Sequence, residues 1–203
     1  MPFVNDLIQI ATDQWNFFEK QTYDLSNRLI NVGRKEGEDG WFQRVGKYWV
    51  EGTDTHGIDG RNHESAWSAT FISWVEKQAG AGSRFRYSMM HSVYISQAIR
   101  DKLNGRTQAG YWGFRLNEVE PTVGDLICWS RQSGIDYDHQ AGGVYKGHSD
   151  IIVEVQPSQI FVIGGNVGDS VSKRTFKRDS NGFVAPARVS GETLFALMQN
   201  RIA

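Results

Sequence analysis

Residues 66–75 read Ala-Trp-Ser-Ala-Thr-Phe-Ile-Ser-Trp-Val, and few folds can accommodate such a run. Ala66, Trp67, Ala69, Phe71, Ile72, Trp74 and Val75 make it apolar on nearly every side, which predicts a helix packed in the core. Gly80 is a natural stop, so the helix is expected over about 64–79. Asn62, Glu64 or Ser65 can cap its front. Ser68 then falls in the first turn, where backbone N–H groups and the positive end of the helix dipole gather. A nucleophile that generates an oxyanion benefits from that place. Taken alone, the stretch favours a plainer role for Ser68, a small residue in a tight helix contact.

A chain of 203 residues is enough for one domain with a real core. The formal net charge is −1, and no basic excess points to nucleic acid or an anionic membrane. Seven Trp among these residues suit a groove for sugars or peptides, but large cores use Trp too. The single cysteine, Cys128, cannot form an internal disulfide, and no Cys cluster exists for zinc. Its apolar setting, Asp125-Leu126-Ile127-Cys128-Trp129, predicts a buried structural thiol. No signal-peptide pattern opens the chain and no apolar stretch approaches the ~20 residues of a membrane span. Synthesis and folding in the cytoplasm are therefore expected, with export that needs no cleaved signal left open.

Along the chain, Phe3 to Phe18 carry apolar residues at the spacing of an amphipathic helix over 3–22. Residues 31–64 look loop-rich, broken by seven glycines, with 41–45 and 47–50 the only short ordered candidates. His56, Asp59 and His63 are metal-capable but lack both the calcium-loop spacing and H-E-x-x-H, so a polar loop is the default there. A second helix is expected over 87–103, with His91 and Tyr94 on one face as a buried hydrogen bond or part of a groove wall, the buried role preferred. From Pro121 onward, 125–129, 151–155, 159–163 and 170–175 read as strands, with Pro157-Ser158 turning an antiparallel hairpin. Residues 130–147, with Asp136, His139, Gly142 and Gly143, form a long polar loop, and 191–202 a final short helix. Helices first and strands second is an α+β order in one domain, 1–203.

Three polar positions stand out. Ser68 opens the core helix, His148 precedes the strand 151–155, and Asn166 follows the next strand. In the predicted hairpin His148 and Asn166 lie near one end on neighbouring strands, so Asn166 can orient the imidazole. Asp150, two residues from His148 and on the same strand face, is a second candidate orienter. This is the generalised logic of nucleophile, base and orienter. Each member has a plain alternative: a loop histidine at 148 and a turn residue at 166.

The series Trp67-Ser68-Ala69-x-Phe71-Ile72-Ser73-Trp74, Pro121-x-x-Gly124-Asp125-Leu126-Ile127, Gly147-His148-Ser149-Asp150-Ile151-Ile152-Val153 and Ile163-Gly164-Gly165-Asn166 resembles the papain-like cell-wall hydrolases. These are the NlpC-type peptidases and CHAP amidases, and the resemblance is closest to a related bacterial family of unknown function. It covers about residues 40–175, with 1–40 as an N-terminal helical extension. It implies a papain-like α+β fold, with N-terminal helices packed on a small antiparallel sheet. It also implies hydrolysis of an amide bond in peptidoglycan stem peptides, or between glycan and peptide, through an acyl-enzyme and without a cofactor. Position 68 is then the nucleophile, His148 the base and Asn166 or Asp150 the orienter. Tyr48 and the Ser68 N–H would help hold the oxyanion. Trp49, Trp67, Tyr111 and Trp112 would join Tyr48 in lining the groove. Delivery by a phage or a contact-dependent secretion system, with a cognate immunity protein, is implied by analogy only.

The departure is Ser68, where those enzymes carry cysteine. A thiol of pKa ~8.5 is held as thiolate by a nearby imidazolium, whereas a serine hydroxyl must lose its proton during attack. Three accounts fit: a true serine nucleophile with a stronger relay through Asp150, a site turned to binding, or an engineered Cys-to-Ser replacement. The rival from another class is a non-catalytic peptide- or glycan-binding module on the same fold. A metal-dependent hydrolase using His56, Asp59 and His63 is the weaker third.

Overall fold

The computed structural model describes residues 2–140 and 143–202. In chain order the elements are α1 (Pro2–Phe17), β1 (Gln21–Tyr23), β2 (Leu29–Asn31), α2 (Phe42–Thr53), α3 (Ser68–Gln78), a 3-10 turn (Gly82–Arg84), α4 (His91–Leu103), β3 (Tyr111–Phe114), β4 (Leu126–Ser130), β5 (Gly147–Val155), β6 (Gln159–Gly164), β7 (Ser172–Lys177), β8 (Arg188–Val189) and β9 (Glu192–Asn200). The fold is mixed α+β. The apolar run becomes α3, in which every residue from Ser68 to Glu76 is buried.

The sheet is larger than the small antiparallel one expected. Its strands run β2-β1-β7-β6-β5-β4-β9-β3, with β8 paired to β9. β1 and β7 are parallel and the remaining pairs antiparallel. The expected hairpin across Pro157-Ser158 is present as β5 and β6, with Ile151 opposite Ile163.

Strand alternation divides the core into two layers. Cys128, Ile151, Ile163 and Met198 pack with the helices, while Ile127, Trp129, Ile152, Val162 and Leu197 form a second layer on the opposite face. The central strands are therefore apolar on both sides, as in sheets covered on two faces. Leu7, Ala11 and Phe18 enter the helix-side core, and Gln14 of α1 accepts a hydrogen bond from Tyr48 Oη at 2.8 Å. The N-terminal segment is thus built into the same core.

Three expectations are corrected. Residues 42–53 form one helix, not two short pieces in a loop. Gly52 is needed there because a Cβ would stand 2.8 Å from the Thr70 carbonyl oxygen, and its absence lets α2 lie against α3. Residues 192–200 are a strand rather than a helix, since the segment inserts between β3 and β4 and is buried on both faces. The second helix starts at His91, because Arg86–Met90 approach it in non-helical conformation. Gly142, named in the polar loop, lies outside the described residues.

Candidate active site

Ser68 is the first residue of α3 and His91 the first of α4. Ser68 Oγ lies 2.6 Å from His91 Nε2, and both side chains are buried. They stand in a cleft of about 610 Å³, walled by Met89, Met90, Val144 and Tyr145 on its apolar side and by Glu64, Arg131 and Lys146 on its charged side. On the far side of the imidazole, Nδ1 meets Ser149 Oγ at 3.0 Å and the Tyr94 hydroxyl, and those two hydroxyls are 2.9 Å apart. The buried His91–Tyr94 contact read from the sequence is present, and His91 also walls the groove.

His148 has other partners. Its Nε2 is 3.1 Å from Asp150 Oδ1, and Asp150 Oδ2 accepts from Trp129 Nε1 at 2.9 Å and Arg174 Nη2 at 2.6 Å. Burial alone would raise the Asp150 carboxyl, but Arg174, then His148, hold it well below its ordinary value. An ionised Asp150 calls for a proton on the facing Nε2, and Nδ1 lies outside that pair. That Nδ1 has no hydrogen-bond partner among the described residues. The two imidazoles meet where β5 begins, with ring centres 5.2 Å apart. Arg174 also approaches Glu192 at 3.8 Å, and Glu192 pairs with Arg131 of the cleft wall.

The expected triad is therefore rearranged. Ser149 and Ile151 point toward the helices, so His148 and Asp150, on alternate positions, point to the side of Trp129 and Arg174. The Ser68 hydroxyl is met by His91 instead of His148. Asp150 does orient His148, as the second of the two candidates. Asn166 does not: it sits in a turn with φ +57° and donates from Nδ2 to Glu36 Oε2 at 2.7 Å. Glu36 also accepts from Trp67 Nε1 at 2.5 Å and contacts His63 Nδ1 at 2.9 Å.

The aromatics expected to line a groove also lie elsewhere. Tyr48 and Trp67 are core residues, with ring centres 5.7 Å apart, and Tyr48 packs on Phe71 at 5.3 Å and Trp74 at 5.1 Å. Tyr48 Oη is spent on Gln14, so it is not placed as an oxyanion donor. Trp49 and Tyr111 are buried, and Trp112 lies under the Arg201 guanidinium, 3.8 Å from its ring centre. Among the described residues these five aromatics do not line the cleft. The reason is volume: large rings at the junction of α2 and α3 fill the core first.

His56 pairs with Asp54 at 3.2 Å, His63 with Glu36, and the Asp59 carboxylate accepts from the Arg61 amide at 2.8 Å. Among the described residues, no three His, Cys, Asp or Glu side chains gather to hold a metal ion. Cys128 is buried, and burial followed by the Asp150 charge pushes its thiol far above the ordinary value, which fits a structural role.

His91 is the partner of Ser68 that the sequence reading left out of its triad. Nothing in local spacing places residue 91 against residue 68. Burial first, then His148 and Arg131, lower its pKa well below the ordinary value, against an upward pull from Asp150. The ring is thus neutral near pH 7 and holds one accepting nitrogen.

Together these features define an α+β protein with a serine–histidine contact on the floor of an open cleft. Residues 56–195 match the family described as an uncharacterized protein conserved in bacteria (DUF2272), and the chain belongs to that family. No curated protein and no solved structure matches the chain. Among the described residues, no helix is long and apolar enough to cross a membrane.

Proposed function

We propose that this protein is an amide hydrolase of papain-like descent acting on peptidoglycan peptides through an acyl-enzyme at Ser68. The observation that carries this reading is the 2.6 Å contact between Ser68 Oγ and an imidazole on the floor of the cleft. The order of motifs and the packing of α3, which carries Ser68, on the β5–β6 hairpin support the papain-like kinship. In the first half-reaction Ser68 Oγ bonds to the amide carbonyl carbon and its proton passes to imidazole. The oxyanion so formed lies near the first-turn amides of α3, whose N–H groups lack helical partners. The C–N bond then breaks and the leaving amine takes the proton, after which water hydrolyses the ester. The Asp150 carboxylate offsets the positive charge that the two-histidine cluster gains. Delivery as an antibacterial effector with an immunity protein belongs to the same proposal and rests on analogy with the cell-wall hydrolases.

A specific observation favours a second reading, a peptide- or glycan-binding module: His148 is turned to Asp150, away from Ser68. Muropeptides digested with the wild-type chain, Ser68→Ala and Ser68→Cys separate the two. Product from wild type and none from Ser68→Ala establishes a serine nucleophile. Product only from Ser68→Cys identifies a silenced thiol site. Muropeptide binding without product from any of the three supports the binding module and sinks the hydrolase.

A further inference from the structure

We infer that His91 is the catalytic base that takes the Ser68 proton, and that His148 with Asp150 is a positioning and charge-balancing pair. This rests on the hydrolase reading of the cleft.

Contact comes first. His91 Nε2 is 2.6 Å from Ser68 Oγ, within the reach that proton transfer requires, whereas His148 commits Nε2 to Asp150. The second ground is the partner behind the ring. For Nε2 to accept from Ser68, the proton of the neutral imidazole must sit on Nδ1, and Nδ1 needs an acceptor. Ser149 Oγ and the Tyr94 hydroxyl are both there, and both are buried. Burial keeps the Tyr94 phenol protonated, and its O–H can pass to Ser149 Oγ at 2.9 Å. Tyr94 stands one helical turn beyond His91 on α4, and the alternation of β5 delivers Ser149 to the same point. The third ground is charge. When His91 becomes an imidazolium it faces the His148 ring, Arg131, Tyr94 and the Asp150 carboxylate. Asp150 is the anion of that set, and its bonds to Arg174 and Trp129 keep it fixed. The proton moves from Ser68 Oγ to His91 Nε2 as the C–O bond forms, and from Nε2 to the departing nitrogen as the C–N bond breaks.

Two measurements on the full chain test this. Long-range 1H–15N spectra of the wild type at pH 7 report the His91 tautomer directly. A proton on Nδ1 and a bare Nε2 is expected, and a proton on Nε2 overturns the assignment, because Ser68 would then be the acceptor. Second, a fluorophosphonate probe reports activation of Ser68 independently of any cell-wall substrate. Labelling of the wild type that is absent in Ser68→Ala, falls at least 100-fold in His91→Gln and falls no more than 10-fold in His148→Gln supports the inference. Loss in His148→Gln with labelling kept in His91→Gln overturns it while leaving the hydrolase reading intact. A wild type that neither labels at Ser68 nor cuts muropeptides ends both. The tautomer readout needs no variant, so it stands even if a histidine substitution unfolds the chain.

Discussion

Gly164 faces the Asp150 carboxylate across the β5–β6 ladder so closely that a Cβ at 164 would fall inside it, with His148 Nε2 only 3.2 Å away. The His148–Asp150 pair exists because residue 164 has no side chain. Gly164→Ala must push Asp150 off His148, Trp129 or Arg174. Overpacking of this kind costs ~1–3 kcal/mol, and a disrupted buried ion pair about 3–5 kcal/mol. The expected outcome is a melting temperature lower by roughly 5–15 °C for a chain of this size, with Ser68 labelling slowed. An unchanged melting temperature would show that the carboxylate has a second resting place.

The acid limb of the kcat/KM profile should lie below pH 6.5, since burial, His148 and Arg131 all lower the pKa of His91. Arg131→Gln removes one of the cations that holds it down and should move the limb upward, toward the ordinary histidine value. Asp150→Asn removes the opposing pull and should move it the other way. Profiles of the three proteins from pH 4 to 8 check the signs, and a limb that ignores both substitutions would assign the titration to another group.

Much of the fold was legible because it rests on local patterning. The α3 run, the β5–β6 hairpin and β4 follow from apolar period, β-branched residues and turn residues. β9 was not, because Leu194, Ala196, Leu197 and Met198 suit a helix and only insertion between two strands makes them extended. α2 was hidden by Gly46 and Gly52, which serve close packing instead of breaking the helix. At the site, Ser68 and the Asp150–His148 pair were visible because each belongs to a local motif. The face to which His148 points was not, because a shift of one residue along a strand reverses it. His91 became part of the site only through tertiary packing of α4 on α3 and β5.

Glu76 of α3 is a buried carboxyl that makes no contact with the Ser68–His91 pair. It accepts from Tyr111 Oη at 2.6 Å, and its other oxygen has no hydrogen-bond partner among the described residues. Burial, partly opposed by the Tyr111 hydrogen bond, raises its pKa to about 8. The folded state therefore holds a proton that the unfolded chain releases from about pH 4.5 upward. Its contribution to stability is full below that value and is lost as pH rises through about 8. Asp125, raised by burial to about 7, acts with the same sign. Glu76→Gln should be nearly neutral at pH 5 and stabilising at pH 8.5 by an amount on the order of a few kcal/mol. Urea midpoints at the two pH values measure this, and an equal change at both would place the ionisation elsewhere.

Glu36 ties the segment before α2 to both sides of the site. One carboxylate oxygen takes Trp67 Nε1 at 2.5 Å and Asn166 Nδ2 at 2.7 Å, while the other faces His63 Nδ1 at 2.9 Å. Trp67 stands at the N-cap position of α3 and directly precedes Ser68, so the carboxylate fixes the backbone from which the Ser68 hydroxyl projects. Asn166 keeps its left-handed turn while holding the same oxygen. Glu36→Ala strands the buried indole N–H, a loss of ~1–3 kcal/mol, and should lower the melting temperature by about 3–10 °C. Ser68 labelling should slow as well, while a control at the exposed Asp39, whose carboxylate pairs with Arg61 at the surface, changes neither quantity. If Glu36→Ala melts as the wild type does and labels at the same rate, Trp67 is positioned by ring packing on Phe18, Tyr48 and Phe71 alone.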